Sequence, residues 1–399
     1  MREITGERLS CDVLVVGGGV SGTSAALAAA RRGVQVILVE KECFLGGVGY
    51  SGLFQYMCGL YLNGDAFPAE TLNTGIVREI VGLFTKVSPQ KAIIKTGQVY
   101  VLPYSRDDLQ TVLTTLCQNE SALTVLHNTT AVSVEKKTGI IIQVTVNRSG
   151  SLCDIFPRIV VDCSGSGSLS AMAGASFVLS TPEKLQLAGF IIHLKGLSEQ
   201  EDTLSIKVPY YLAEGVRKKI LPSYVRYSAF TRGDEPDEGY CKISIEGPDS
   251  IEREQRARKD ASRVHGYLMK TIPSFKTSYI ADSSQYVMDR ESRRVIGEYT
   301  LTGEDVLNAR KFHDGIVKNA WPIEIWDKEK GTIYQYIKSD DYYEIPLRCL
   351  KVKDIPNLLC AGRCISVSSE ALGSTRVMGT CIALGDHAGR TAASIVMGQ

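Results

Sequence analysis

The sequence predicts an α/β fold: a largely parallel sheet flanked by helices, assembled from both ends of the chain, with an α+β unit inserted between them. Three observations predict it. Residues 11–41 read as strand, glycine-rich turn, helix and second strand; residues 158–174 bring another apolar strand to a turn of small residues; and residues 357–397 return to that pattern after a long stretch of different character. Strands alternating with helices in this way make a parallel sheet with crossover helices.

The first unit carries the most chemistry. Val13 to Val16 is an unbroken apolar run, as expected of a strand buried on both faces. Gly17, Gly19 and Gly22 follow in the GxGxxG spacing: the first permits a tight turn, the second lets a pyrophosphate approach the backbone, and the third lets the helix pack on the strand. The helix, from Val20 to about Arg32, opens with unbonded N–H groups at Val20 and Ser21 and the positive end of its dipole toward the phosphates. Gly33 ends it, and Val34 to Val39 forms a second strand that finishes at Glu40, where an acid accepts ribose hydroxyls. This is a Rossmann-like dinucleotide site. The next residues, KECFLGGVGYSG from Lys41 to Gly52, resemble flavoproteins of the glutathione-reductase and fumarate-reductase superfamily, with the Gly46-Gly47 pair soon after the acid and then Tyr50 and Ser51. That resemblance implies FAD, whose ribityl chain and ring lie against the backbone there.

Bulk properties narrow the class. At 399 residues the chain is too long for one small core. We expect an FAD-binding domain from 1–180 and 346–399 and a substrate domain from 181–345. A content of 44% hydrophobic and 22% charged residues is that of an ordinary globular protein, and a net charge of +1 favours neither nucleic acid nor an anionic membrane as partner. No apolar run approaches the roughly 18 residues of a spanning helix. The segment MREITGERLSCDVL has four charged residues before its first strand and no apolar stretch that could act as an export signal, so a cytoplasmic location is expected. The eleven cysteines include no CxxC pair, which removes the redox pair of disulfide reductases; Cys360 and Cys364 are assigned to packing.

Further along, residues 53–73 are rich in aromatic and small residues and fit either a pocket lining or a packed connection. A helix is expected over 71–84, a strand over 99–103, and a helix capped by Ser105 to about Asn119. Residues 123–135 and 139–147 read as a strand pair leading into a meander, and the resemblance to that flavoprotein superfamily implies that the backbone near Ala131 holds the adenine. The strand ending at Asp162 delivers Cys163, Ser164 and Gly165 to a turn close to the cofactor; related FAD proteins commonly have Thr-Gly and an acid there, and this chain has Ser166 in the acid's place. Between 180 and 346, strands are expected at 189–194, 204–210 and 239–246, with a charged helix over 249–270 and a helix start after Thr302. At the C-terminal end, Leu358 to Ala361 forms a strand, Gly362-Arg363 the turn, and a helix from about Arg376 to Val396 packs on the first helix; its start, with Thr375, Gly379 and Thr380, faces the pyrimidine edge of the flavin.

Taken together, VVGGGVSG, RESRRVIGEYTLTGED at 290–305, EIPLRCL at 344–350 and NLLCAGRCISVSSEALGSTRVMGTCIALGDHAG at 357–389 resemble a bacterial family of FAD-dependent oxidoreductases. The resemblance implies a flavoenzyme that moves a hydride between a small organic substrate and flavin N5. Arg293 and Arg376 are the candidates for clamping or polarising the substrate, and His193 is a weaker candidate for carrying a proton. Arg290, Arg293 and Arg294 with Glu291 read equally well as an internal ion-pair cluster. No spacing fits a metal site. No second GxGxxG unit is followed by a strand and an acid, so electrons must come from the substrate or pass to and from an external donor or acceptor. The alternatives are a flavin monooxygenase or halogenase, and an accessory flavoprotein such as a tRNA-modification partner, against which the interspersed charges speak. The sequence sets no oligomeric state.

Overall fold

The computed structural model of the protein describes residues 7–198 and 203–399. The apolar strand Glu7–Val16 is the centre of a seven-stranded sheet. It pairs in parallel with Val36–Val39 on one side, Val13 opposite Val36, and with Ser151–Asp162 on the other, Val16 opposite Asp162. Leu123–Leu126 extends the sheet beyond Val36–Val39, and Leu358–Cys360, from the far end of the sequence, pairs in parallel with the last residues of Ser151–Asp162. That long strand has two roles: its first half closes an antiparallel meander with Ile140–Arg148 and Thr129–Lys137, and its second half lies in the parallel layer.

The expected single strand over 123–135 is two strands. His127 and Asn128 break it, with Asn128 at φ 50, a left-handed conformation that asparagine tolerates better than most residues. The first piece joins the parallel layer and the second joins the meander, a partition that local propensity cannot express.

The first helix, Val20–Ala30, and the last, Met378–Met397, pack face to face on the sheet. Small residues allow this. A Cβ on Gly389 would lie 2.1 Å from the carbonyl oxygen of Ala25, so the two backbones are nearly in contact there. The helix expected from about Arg376 is in fact preceded by a separate short helix, Ser369–Thr375; Arg376 caps the short one and Val377 opens the long one. The amphipathic helix expected over 71–84 runs from Ile76 to Val87 after Gly75, whose φ of 68 sets the entry. Ser105 caps Arg106–Gln118 in a capping box with Asp108.

A second hydrophobic cluster draws only on residues between Ala188 and Val287. Its sheet runs in the order Ala229–Arg232, Gly239–Ile245, Ala188–Lys195, Tyr279–Ser283, covered by the helices Leu204–Arg217 and Ile251–Thr271. The strand expected over 204–210 is therefore a helix. Leu204, Val208, Leu212 and Gly215 are its buried residues, spaced by one helical turn, while Ile206 and Tyr210 point outward; over seven residues this pattern also reads as alternation. Residues from Val295 to Ile345 pack instead with the first core, through Val295, Leu301, Val306, Val317 and Tyr343. No helix among the described residues is long and apolar enough to cross a membrane.

Candidate active site

A single cavity of about 1230 Å³ runs from the glycine-rich turn to the sheet of the second cluster. It exceeds the roughly 300–1,000 Å³ of a site for one drug-sized ligand, leaving room for a large cofactor and a second molecule.

At one end is the turn. Gly17 sits at φ +102 with its Cβ position 2.5 Å from the Cys163 carbonyl oxygen, and a Cβ on Gly22 would fall 1.7 Å from the Gly17 carbonyl oxygen, so both must be glycine for the protein to fold on itself. Gly19 is different. It caps the first helix with φ −63 and ψ 176, an ordinary extended conformation, and a Cβ there would meet nothing nearer than Gly47 Cα at 4.0 Å. The space over Gly19 is part of the cavity, a cradle that a side chain would fill and a pyrophosphate fits. No side chain caps this helix, so its first N–H groups face that space. Gly46 bridges to Gly19, and Gly46 and Gly47 take φ 98 and 53, bending the following segment along the cavity.

Glu40 closes the second strand. Its Oε2 accepts from Gly18 N at 2.5 Å and its Oε1 from Glu42 N at 2.8 Å. Burial pushes its carboxyl up from the ordinary range, opposed by those two amide donors. The carboxylate is thereby fixed to the turn, with lone pairs left for hydroxyl donors on the cavity side.

Of the residues expected to hold the cofactor, Gly17, Gly19, Val20, Ser21, Glu40, Lys41, Gly46, Gly47, Ser51, Cys163, Ser164, Gly165, Gly362 and Arg363 line the cavity. Others lie behind its wall. Gly22 is under the turn; Tyr50 packs on Phe44 with ring centroids 4.3 Å apart; Gly52 is closed off by Met288; and Ala131 is in the core of the meander opposite Val146. Thr375, Gly379 and Thr380 are displaced by the helix break at Arg376. Gly379 lies against the Gly59 carbonyl, and it is Val377, Met378 and Cys381 that reach the cavity. Asp162, buried at the strand end, takes the Ser164 hydroxyl at 2.6 Å and the Ser170 hydroxyl at 2.7 Å, fixing the turn that carries Gly165. Nine of the eleven cysteines are buried; Cys360 Sγ lies 3.2 Å from Ser170 Oγ.

Among the three residues expected at the chemistry, only Arg376 lines the cavity. Arg293 turns away: its Nη1 is 3.4 Å from the Ser166 carbonyl oxygen and its guanidinium lies over Phe177. His193 stacks on Tyr240 at 4.5 Å, beside Glu238, and burial lowers its pKa. His193 shares a sheet face with the cavity-lining Ile191, but its ring is stacked on its cross-strand partner Tyr240, which takes the place at the cavity, and three residues along the arginine-rich segment put Arg290 there in place of Arg293. Arg290 reaches the cavity instead, and Arg294 pairs with Glu291 at 3.1 Å inside the protein.

The wall opposite the turn joins Arg290, named above within the arginine cluster, to residues the sequence did not single out. Lys242, from Gly239–Ile245, and Arg290 both lie over the ring of Trp326, which donates from Nε1 to Glu324 at 2.5 Å. Both tryptophans of the chain, Trp321 and Trp326, line this cavity, a clue that two such rare residues could have supplied. Burial lowers Lys242 to about 7, Arg290 adding to the effect and Glu324 opposing it. Burial raises Glu324, but Lys242, Arg290 and Arg376 outweigh that and hold it below the ordinary range.

Comparisons with known proteins agree with this geometry. A 39-residue stretch, 10% of this chain and 7% of the relative, is 56% identical to a 4-oxocyclohex-2-ene-1-carboxylate 5-dehydrogenase of Sinomonas cyclohexanicum. A 96-residue stretch is 32% identical to a 3-hydroxybenzoate 6-hydroxylase of Klebsiella oxytoca, spanning 22% of each chain. The chain thus covers less than a quarter of either curated relative. Among solved structures, the flavin-dependent brominase Bmp2 superposes with a TM-score of 0.53 at 14% identity over 98% of this chain and 80% of that one. The p-nitrophenol 4-monooxygenase PnpA of Pseudomonas putida DLL-E4 gives 0.51 at 10% identity over 98% and 81%. These likenesses show the fold. The family model for FAD dependent oxidoreductases matches residues 12–399, and with the glycine cradle and Glu40 in place the chain belongs to that family and binds FAD.

Proposed function

We propose that this FAD-dependent oxidoreductase transfers a hydride between a small organic substrate and flavin N5, the substrate lying between the flavin and the wall formed by Lys242, Trp326 and Arg290. The observation that supports this reading is one continuous cavity, with a dinucleotide cradle at one end and a cationic, aromatic wall at the other. FAD supplies the two-electron chemistry. The chain supplies position and charge. Arg376 is held by the carbonyl oxygens of Arg290 and Glu324, at 2.9 and 2.8 Å, so its guanidinium is oriented before substrate arrives. Arg363, bonded to the Gly165 carbonyl oxygen at 2.9 Å, is placed beside the turn. In this reading residues 1–180 and 346–399 hold FAD and 181–345 supply the substrate wall, in a cytoplasmic enzyme served by an external electron donor or acceptor.

A second reading, hydroxylation or halogenation, draws on the partial match to a 3-hydroxybenzoate 6-hydroxylase. Anaerobic stopped-flow absorbance separates the two. Bleaching of the flavin by organic substrates without nicotinamide supports the dehydrogenase reading. Reduction by NADPH alone, with incorporation of labelled oxygen from O₂ into the product, replaces it with the monooxygenase.

A further inference from the structure

The wall holds more positive charge than the protein balances. The Lys242 ammonium is 4.0 Å and the Arg290 guanidinium 3.8 Å from the centroid of the Trp326 ring. Arg290 Nε donates to the Leu187 carbonyl oxygen at 2.7 Å, which leaves its two terminal nitrogens as a planar fork. Arg376 is held by neutral acceptors: the Arg290 and Glu324 carbonyl oxygens and Gln186 Oε1. None of these three cations forms an ion pair among the described residues: Glu324 beside them accepts from the Trp326 indole, and Glu291, which also acts on Arg376, is paired with Arg294. The Arg290 and Arg376 guanidiniums and the Lys242 ammonium, which titrates near 7, together outweigh the Glu324 carboxylate in a part-buried wall of the cavity. Charges are kept in such places when a partner neutralises them, and here the chain does not provide it.

We propose that Lys242, Arg290 and Arg376 form a carboxylate subsite, and that the substrate is a planar ring bearing a carboxylate, its ring against the tyrosines that line the cavity beside Trp326. This rests on the cavity being a flavoenzyme active site. The guanidinium fork matches the two oxygens of a carboxylate, and the ammonium adds a point charge. Tyr334, Tyr336 and Tyr56 line the same space and offer flat surface to a ring, while Trp326, 5% exposed, has the two cations over its ring. An aliphatic acid fills only the charged part of such a site, and a neutral aromatic only the flat part.

Charge regulation follows from the same geometry. The charged and titratable groups facing Lys242 are Arg290, Arg376, Glu324 and Cys58, with Tyr334 beyond them; its partners on the flanking strands, Ile191 and Ala229, are uncharged. With Lys242 lowered to about 7, a bound carboxylate draws a proton onto it. Binding above pH 7 therefore takes up a proton, and affinity falls by up to about tenfold per pH unit.

The test is isothermal titration of the FAD-loaded protein with benzoate, benzamide, acetate and inorganic phosphate, in two buffers of different ionisation enthalpy. Benzoate should bind at least tenfold more tightly than each of the others, with proton uptake at pH 8. K242M and R290M should each weaken benzoate at least tenfold while FAD content stays unchanged, and R290K, which keeps the charge without the fork, should fall between. Equal binding of benzoate and benzamide overturns the subsite, as does phosphate binding as tightly as benzoate, or wild-type benzoate affinity in both variants. Loss of FAD from K242M or R290M assigns the cluster to the cofactor and overturns it as well. A protein that prefers benzoate but cannot be loaded with FAD leaves the subsite standing and removes the flavoenzyme reading.

Discussion

Gly385 of the last helix lies so close to Ser21 of the first that a Cβ on it would sit 2.0 Å from the Ser21 carbonyl oxygen. The helix whose uncapped N–H groups open onto the cavity is thus held, through its backbone, by the end of the chain most distant in sequence. Gly385→Leu should destabilise the protein by about 1–3 kcal/mol, as overpacking of a tight interface does, and lower its affinity for FAD. Urea unfolding of the FAD-free and FAD-loaded forms measures both. Unchanged stability would mean that the helices do not meet there.

Gly19→Val should behave in the opposite way. The position has ordinary dihedrals and free space, so the fold tolerates the side chain, whereas a ligand over the turn does not. The variant should unfold at about the wild-type urea concentration and purify without flavin absorbance. Normal FAD content in that variant would place the pyrophosphate elsewhere.

The arginines can be told apart by rate. Arg376→Ala removes a cavity-lining guanidinium and should slow substrate-dependent flavin bleaching by more than about tenfold, the equivalent of ~1.4 kcal/mol. Arg293→Ala, directed at the Ser166 carbonyl oxygen and Phe177, should stay within about threefold. Stopped-flow traces of the two variants decide the ranking, and a larger effect at Arg293 would reverse it.

Stability should depend on pH through Lys242. Its ammonium titrates near 7 in the folded protein against an ordinary value of 10.5. Between those limits the unfolded chain binds the proton and the folded chain does not, so this group's contribution grows as pH rises through the window and is lost as pH falls toward 7. In substrate-free protein, K242M should flatten the rise in stability between pH 7 and 10. Parallel wild-type and K242M curves would show that Lys242 remains charged.

Thiol reactivity offers an independent check on burial. Cys43 is exposed, whereas burial raises Cys58, at the cavity, to about 12. A disulfide reagent should titrate one thiol quickly in the native protein and all eleven in denaturant. Several fast thiols would contradict the packing around Cys360 and Cys364.

Local sequence determined the turn, because its chemistry is local: Gly17, Gly19, Gly22 and Glu40 lie within one strand, helix and strand, Gly17 and Gly22 hold positions with no room for a Cβ, and Gly19 leaves the space above it open. It determined the capping box at Ser105 and the strand at Val99–Pro103 for the same reason. The helix at Leu204–Arg217 was not legible, since seven residues of near-alternation satisfy both periods until a partner surface selects one. The substrate wall was not legible either. Lys242, Arg290, Glu324 and Trp326 come from three separate stretches of chain and meet only when tertiary packing brings them to one wall of the cavity. Tertiary structure alone decided that Arg290, and not Arg293, meets the cavity, because three residues along an irregular segment reverse a side chain's direction and no periodicity there announces which way it points.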